Sequence, residues 1–163
     1  MNLPLLDIMT TKSQLQSKIQ ELEQQLTEFK YQLSNYQEIT LDIAKVGDVL
    51  EDGSIVLQKE NGLALLVAPI STQVSCKWSP EFPDVYAKLK EQGFNPSQWF
   101  VPTKEQLQLA YERILGEFCP AYYWSSTERD SSGAWFVYFT TGYTNHLNKT
   151  RTNLVRTFRC VTY

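Results

Sequence analysis

Val46-Gly47-Asp48-Val49-Leu50-Glu51-Asp52-Gly53-Ser54-Ile55-Val56-Leu57-Gln58 is where the chain turns to β. Residues 46–50 and 55–58 are apolar-rich runs, and Asp52-Gly53 between them is a short-range hairpin signal, since the tight turn joining two twisted strands favours Asp or Asn followed by Gly. Asn61-Gly62 repeats the pattern and leads into the almost wholly apolar run 63–69. The expectation is a three-stranded meander with one buried strand.

Upstream the composition differs. From residue 10 to residue 40 there is no Gly and no Pro, and Gln, Glu, Leu and Lys dominate. Ile8, Leu15, Leu22, Phe29 and Tyr36 recur every seven residues as d positions, and Ile19, Leu26 and Leu33 fill the a positions, broken only by Lys12. The flanking positions are polar or charged, with Lys18, Glu23 and Lys30 among them. A seam sustained over roughly four heptads predicts a coiled coil. The competing reading, an amphipathic helix packed on its own domain, usually carries a wider apolar stripe than a and d alone. A lone helix with this seam would leave Leu and Ile in water, so the pattern implies further copies of itself. Phe29 and Tyr36 at d suit a roomier core than a dimer offers, which favours a homotrimer. Residues 1–9, with Leu3, Leu5, Leu6 and Ile8, form a candidate docking peptide; 10–40 form the stalk and 41–163 the head.

Downstream, residues 83–92 place Val85, Tyr86 and Leu89 on one helical face and stop at Gly93, a natural residue after a helix C-terminus. Thr103 and Gln106 have capping-box spacing before a second helix carrying Leu107, Ala110, Tyr111 and Ile114. The connector Trp99-Phe100-Val101-Pro102 is expected in the core. The last third is dense in aromatics, with a strand over 134–140, a turn at Gly142, a polar loop over 143–151 and a closing strand over 154–161. No internal repeat or low-complexity tract interrupts it.

The whole chain has 163 residues, 42% of them hydrophobic and 13% aromatic, with a net charge of -3. That balance argues against a protein built to grip nucleic acid, which needs a basic excess. A single histidine, His146, excludes His-rich metal sites and any mechanism with two imidazoles. Three cysteines without a C-x-x-C pair exclude a zinc ribbon and a thioredoxin-type motif. Pro4 and Asp7 break the first apolar stretch, and run 63–70 is too short to cross a bilayer, so neither a signal peptide nor membrane insertion is expected.

Several pieces fall in a recognisable order. Gly47-Asp48 comes first, then Gln98-Trp99-Phe100-Val101-Pro102-Thr103 before Glu105-Gln106-Leu107. Tyr123-Trp124-Ser125-Ser126-Thr127-Glu128 follows, then Ala134-Trp135, Gly142 and the closing Arg159-Cys160-Val161. Over residues 46–163 this order resembles the C-terminal domain family of bacterial collagen-like adhesins, whose members also occur in phage tail and lipoprotein sequences. The resemblance implies a C-type-lectin-like α+β head, with antiparallel sheets and two helices supporting a variable binding surface. Phe100 stands where the family usually has arginine. The family's first-helix cysteine is missing, which puts a disulfide to Cys160 in doubt and leaves Cys76, Cys119 and Cys160 expected as buried thiols in a reducing compartment.

No catalytic set is expected, because Ser125, Ser126, Glu128 and His146 come without a nucleophile elbow or an oxyanion motif. No metal or cofactor is expected either. Asp48, Glu51 and Asp52 are too few oxygen donors for calcium and read as a solvated turn. The tail from Gly142 onward carries Lys149, Arg151, Arg156 and Arg159 and no acid. Trp124 and Trp135 are read as core, and Arg156 and Arg159 as strand residues paired with acids. Tyr143, Asn145, His146, Asn148, Lys149 and Arg151, with Glu128 and Arg129, form the candidate ligand-binding set. Aromatic faces, amides and guanidinium groups together suit a glycan or protein receptor. The resulting expectation is a phage fibre or other virion structural protein, assembled in the host cytoplasm and exposed outside, binding a host-surface receptor through several heads. Alternatives are a purely structural decoration or cement protein without a host ligand, or a bacterial surface interaction module.

Overall fold

A run of 31 residues without an interior helix breaker forms α1, Pro4–Ser34. The structure, a computed structural model, describes residues 4–34 and 40–163. The chain divides into two units, Met1–Glu38 and Ile39–Tyr163. Along α1 the Lys18–Glu21 ion pair (2.8 Å) lies one turn apart on the surface. Leu15, Ile19, Leu22, Leu26 and Phe29 are each more than half exposed, Phe29 at 66%. Tyr36 and Leu3 lie outside the described residues, and of Ile8 and Leu33 only the backbone is described. Residues 4–9 of the expected docking peptide belong to the helix. No helix among the described residues is long and apolar enough to cross a membrane.

The second unit is mixed α/β, with two helices and two sheets whose strands pair mainly antiparallel. Strands β1 (Ile55–Glu60) and β2 (Leu63–Val67) form the expected hairpin; Asn61 and Gly62, at φ 53° and 76°, both occupy the left-handed region that a two-residue hairpin turn demands. Residues 46–50 do not form its third strand. They make a single bridge, Val49 to Ile55, and otherwise fold into turns. Leu41, Ala44 and Leu50 instead cover the outer face of the hairpin, on Val56, Ala64 and Leu66. Lys59 Nζ fastens that cover by donating to the carbonyls of Leu41, Asp42 and Ala44 at 2.6–3.1 Å. The place of the third strand goes to the last strand of the chain, β8 (Phe158–Thr162), so the sheet order is β1-β2-β8.

The larger sheet has the order β3-β7-β4-β5-β6. Its strands are β3 (Val74–Lys77), β4 (Tyr122–Glu128), β5 (Gly133–Tyr138), β6 (Tyr143–Asn148) and β7 (Thr152–Val155), with one parallel contact between β4 and β7. The expected closing strand over 154–161 is thus two strands in different sheets. Buried Arg156 and Thr157 make the crossing.

Helix α2 (Pro83–Glu91) and helix α3 (Lys104–Ile114) sit on opposite faces of this sheet. The capping box of α3 forms as its spacing predicts: Thr103 Oγ1 accepts from Gln106 N at 3.3 Å, and Gln106 Oε1 accepts from Thr103 N at 2.9 Å. Leu107, Ala110 and Ile114 pack on Leu57, Tyr123, Val137, Phe139 and Phe158. On the other face Val85 and Phe82 join Trp124, Phe136 and Val155. Trp124 is fully buried as expected, whereas Trp135 is half-buried. Gly142 turns β5 into β6 at φ 73°; a Cβ there would come within 2.6 Å of the Tyr111 ring, so any larger residue would push the edge strand off α3.

Candidate functional site

The polar stretch 143–151 is not a loop. Its first six residues are β6, the edge strand, paired along their whole length with β5. The alternating carbonyl and N–H demand of that ladder is met by six residues whatever their polarity, and a strand sends successive side chains to opposite faces. Tyr143, Asn145 and Leu147 therefore stand opposite Tyr138, Phe136 and Ala134 on the α2 side, while Thr144 and His146 stand opposite Val137 and Trp135 on the α3 side. The candidate ligand set is divided by the pleat.

On the α2 side lies an open groove of about 470 Å³. Tyr143, Asn145 and Arg151 of the candidate set line it, together with Tyr122, Phe136, Leu147, Thr152 and Asn153, which stand outside that set. Tyr122 and Tyr143 are about half exposed, at 43% and 55%. Phe136 lies edge-on to both, 5.0 Å from Tyr122 and 6.4 Å from Tyr143 between ring centroids. Asn145 is oriented by its neighbours: its Nδ2 donates to the Tyr143 hydroxyl, and its Oδ1 accepts from His146 N. Asn153 is 91% buried, and its Nδ2 has no acceptor among the described residues. A buried amide donor without an acceptor costs about 1–3 kcal/mol, which an acceptor arriving in the groove would recover.

On the α3 side the side chains form a row. Lys104 Nζ lies 4.2 Å over the Trp135 ring, Trp135 stands edge-on to His146 at 5.8 Å, and Arg129 Nη1 contacts His146 Nε2. Arg129 also pairs with Asp130 at 3.5 Å. Hydrogen bonds from Ser132 and from the Gly133 N–H, with Arg129 alongside, hold the exposed Asp130 carboxyl below the usual range. Ser125 does not meet His146: its hydroxyl donates to the Trp135 carbonyl at 2.8 Å and accepts from Thr127 N.

The remaining candidates stitch turns together. Lys149 pairs with Glu128, donates to the Ser131 carbonyl at 3.2 Å and lies 4.5 Å over Trp78. Asn148 Oδ1 accepts from both the backbone and the hydroxyl of Thr150. Asp48 and Asp52 also serve turns, accepting from Lys45 N and from Ser54 N. Arg159 pairs with Asp52 at 2.5 Å and lies 4.6 Å over Trp99. Arg156 pairs with no acid among the described residues, against expectation. The cysteines are free; only Cys76 is buried as expected, whereas Cys119 is half-buried and Cys160 exposed. No group of three or more His, Cys, Asp or Glu among the described residues is placed to hold a metal ion.

No protein-family model matches the chain, and no curated protein matches it.

Proposed function

We propose that this protein is a fibre or other structural component of a phage particle, and that the groove beside β6 binds a host-surface glycan. The observation that carries this reading is the groove's composition. Two half-exposed rings, Tyr122 and Tyr143, offer apolar faces for sugars over buried Phe136, Arg151 offers a guanidinium for a carboxylate or phosphate on them, and Asn145 and Asn153 offer amides. The resemblance to the adhesin domain family and a lectin-like fold supports the same reading.

The a and d residues of α1 support association through a parallel, trimeric coiled coil, since each would otherwise leave apolar surface in water. Several weak grooves on one stalk gain avidity of about a hundredfold or more without new contacts, provided their spacing lets them engage together. Residues 1–9 would dock on other particle components. Exposed Ile43 and Val46 favour a second reading, in which the head packs on a neighbouring subunit and binds no host ligand.

Pull-down on intact bacterial cells separates the two. The full chain should bind strongly, and a chain with Leu22→Asp and Leu26→Asp, monomeric but with its head intact, should bind weakly. Absence of binding by the full chain across a panel of hosts would favour the purely structural role.

A further inference from the structure

Away from the groove, a cleft of about 310 Å³ opens between the turn at Gly53, the segment 69–71 and the end of α3. Its walls include Val49, Ile55, Pro69, Ile70 and Phe118, and Arg156 lies among them. Val49 and Ile70 are half exposed, at 51% and 53%, leaving an apolar rim in water. Arg156 is 1% exposed.

A buried guanidinium normally has a carboxylate partner, because removing an unpaired charge from water costs several kcal/mol. Arg156 has none within ion-pair distance among the described residues. Its Nε donates to the Ala68 carbonyl at 2.6 Å, its Nη1 to the Glu117 carbonyl, and its plane lies 4.8 Å from the Phe118 ring. These partners are dipoles and a π-face, and none of them carries a negative charge to balance the guanidinium. Burial accordingly lowers the pKa of Arg156 from its ordinary value, with Tyr123 and Glu117 acting against the shift. Glu117 is exposed, and its carbonyl rather than its carboxylate meets the guanidinium.

We propose that this cleft is a second binding site, taking a carboxylate carried on an apolar group. One guanidinium matches a singly charged carboxylate in charge, and the N–H groups of Arg156 not engaged by the Ala68 and Glu117 carbonyls would donate to it. Among the described residues no second cation lines the cleft to balance a phosphate dianion, and its apolar rim would cover the hydrocarbon part of the ligand.

Saturation-transfer NMR on the full chain tests this with 4-phenylbutyrate as probe and its neutral amide as control. The acid should bind at least tenfold more tightly than the amide. Gly116 lies on the cleft wall, and a Cβ there meets nothing within 4 Å, so Gly116→Trp can be made without a clash, and an indole on that wall should block the probe and abolish the signal. Glu117→Gln should strengthen binding by removing a like charge. Equal binding of acid and amide would overturn the proposal. So would a signal that survives Gly116→Trp, or no binding of the acid at about 10 mM, where weak ligands of this size still register. A peptide ending in a phenylalanine carboxylate distinguishes the ligand's source: displacement of the probe assigns the site to a chain terminus, and failure to displace it assigns the site to a free acid.

Discussion

Tyr122 and Tyr138 stack across β4 and β5, their ring centroids 4.3 Å apart and their planes 14° from parallel. Tyr138 packs against the core beneath α2, and Tyr122 lies half exposed on the groove wall. The half-buried partner thus fixes an exposed ring before any ligand arrives. Tyr122→Ala should weaken binding to host cells or purified surface glycan about tenfold per site, in line with ~1–1.5 kcal/mol for a well-placed aromatic contact. Its thermal midpoint should fall only slightly. Unchanged affinity in a titration with the purified glycan would remove the groove from consideration.

Asn153 separates binding from stability. Its amide Nδ2 is buried without an acceptor, opposite Cys76 across β3 and β7. Asn153→Leu should leave the thermal midpoint unchanged or raise it, because a polar group that lacks a partner costs more to bury than an apolar one of similar volume. Affinity for the ligand should drop at least fivefold. A loss of stability without a loss of affinity would make Asn153 a purely structural residue.

Much of the fold was legible because local chemistry decided it. The Thr103 cap, the stop at Gly93 and the Asn61-Gly62 hairpin each need one particular backbone geometry that few residue types supply. The motif residues behind the family resemblance are largely structural: Trp99 stacks on Arg159, Trp124 is core, and Ser125 bonds the Trp135 carbonyl. The candidate site was legible only in part. Polar side chains made β6 look like a loop, although an edge strand needs little apolar content when one of its faces lines a groove. A period-two reading of Tyr143, Asn145 and Leu147 would have put them on one face and drawn in Phe136. Nothing local told β8 to pair with β2, a contact made across about a hundred residues of chain, where loop closure and packing rather than propensity set the partner.

Association through α1 is tested by charge. Leu22 and Leu26 are successive d and a positions, both half exposed on the isolated helix. Aspartates at both would place two carboxylates in an apolar seam, at a cost of several kcal/mol per copy. Sedimentation should show the parent as a trimer and the double variant as an 18.9 kDa monomer with unchanged β-sheet circular dichroism. An unchanged mass would refute the coiled coil.

The three thiols should differ in reactivity. Burial, with the Asp84 charge adding to it, pushes the Cys76 thiol up to about 11, so almost none of it is thiolate at neutral pH. Cys160 is exposed on β8. Maleimide should label Cys160 first in the native protein, followed by mass spectrometry of its peptide, and should reach Cys76 only on unfolding. Early labelling of Cys76 would show that β3 opens readily.

Asp52 and Arg159 link the turn after residue 50 to β8, and their pairing predicts a dependence on pH. Burial raises the Asp52 pKa, but hydrogen bonds from the Ser54 hydroxyl and N–H, together with the Arg159 charge, outweigh it and hold the carboxyl below its usual 3.8. A carboxyl with a folded-state pKa below its unfolded value binds fewer protons when folded. Its contribution to stability is therefore complete above the unfolded pKa and is lost as pH falls through the folded one. Asp52 is partly exposed, so solvent screening limits the contribution to about 1 kcal/mol or less. Asp52→Asn should lower the thermal midpoint by a few degrees at neutral pH, and the gap between variant and parent should close as pH falls below the usual carboxylate value. A gap of constant size down to strong acid would show that Asp52 contributes without its charge, through neither Arg159 nor charge-assisted hydrogen bonds from Ser54.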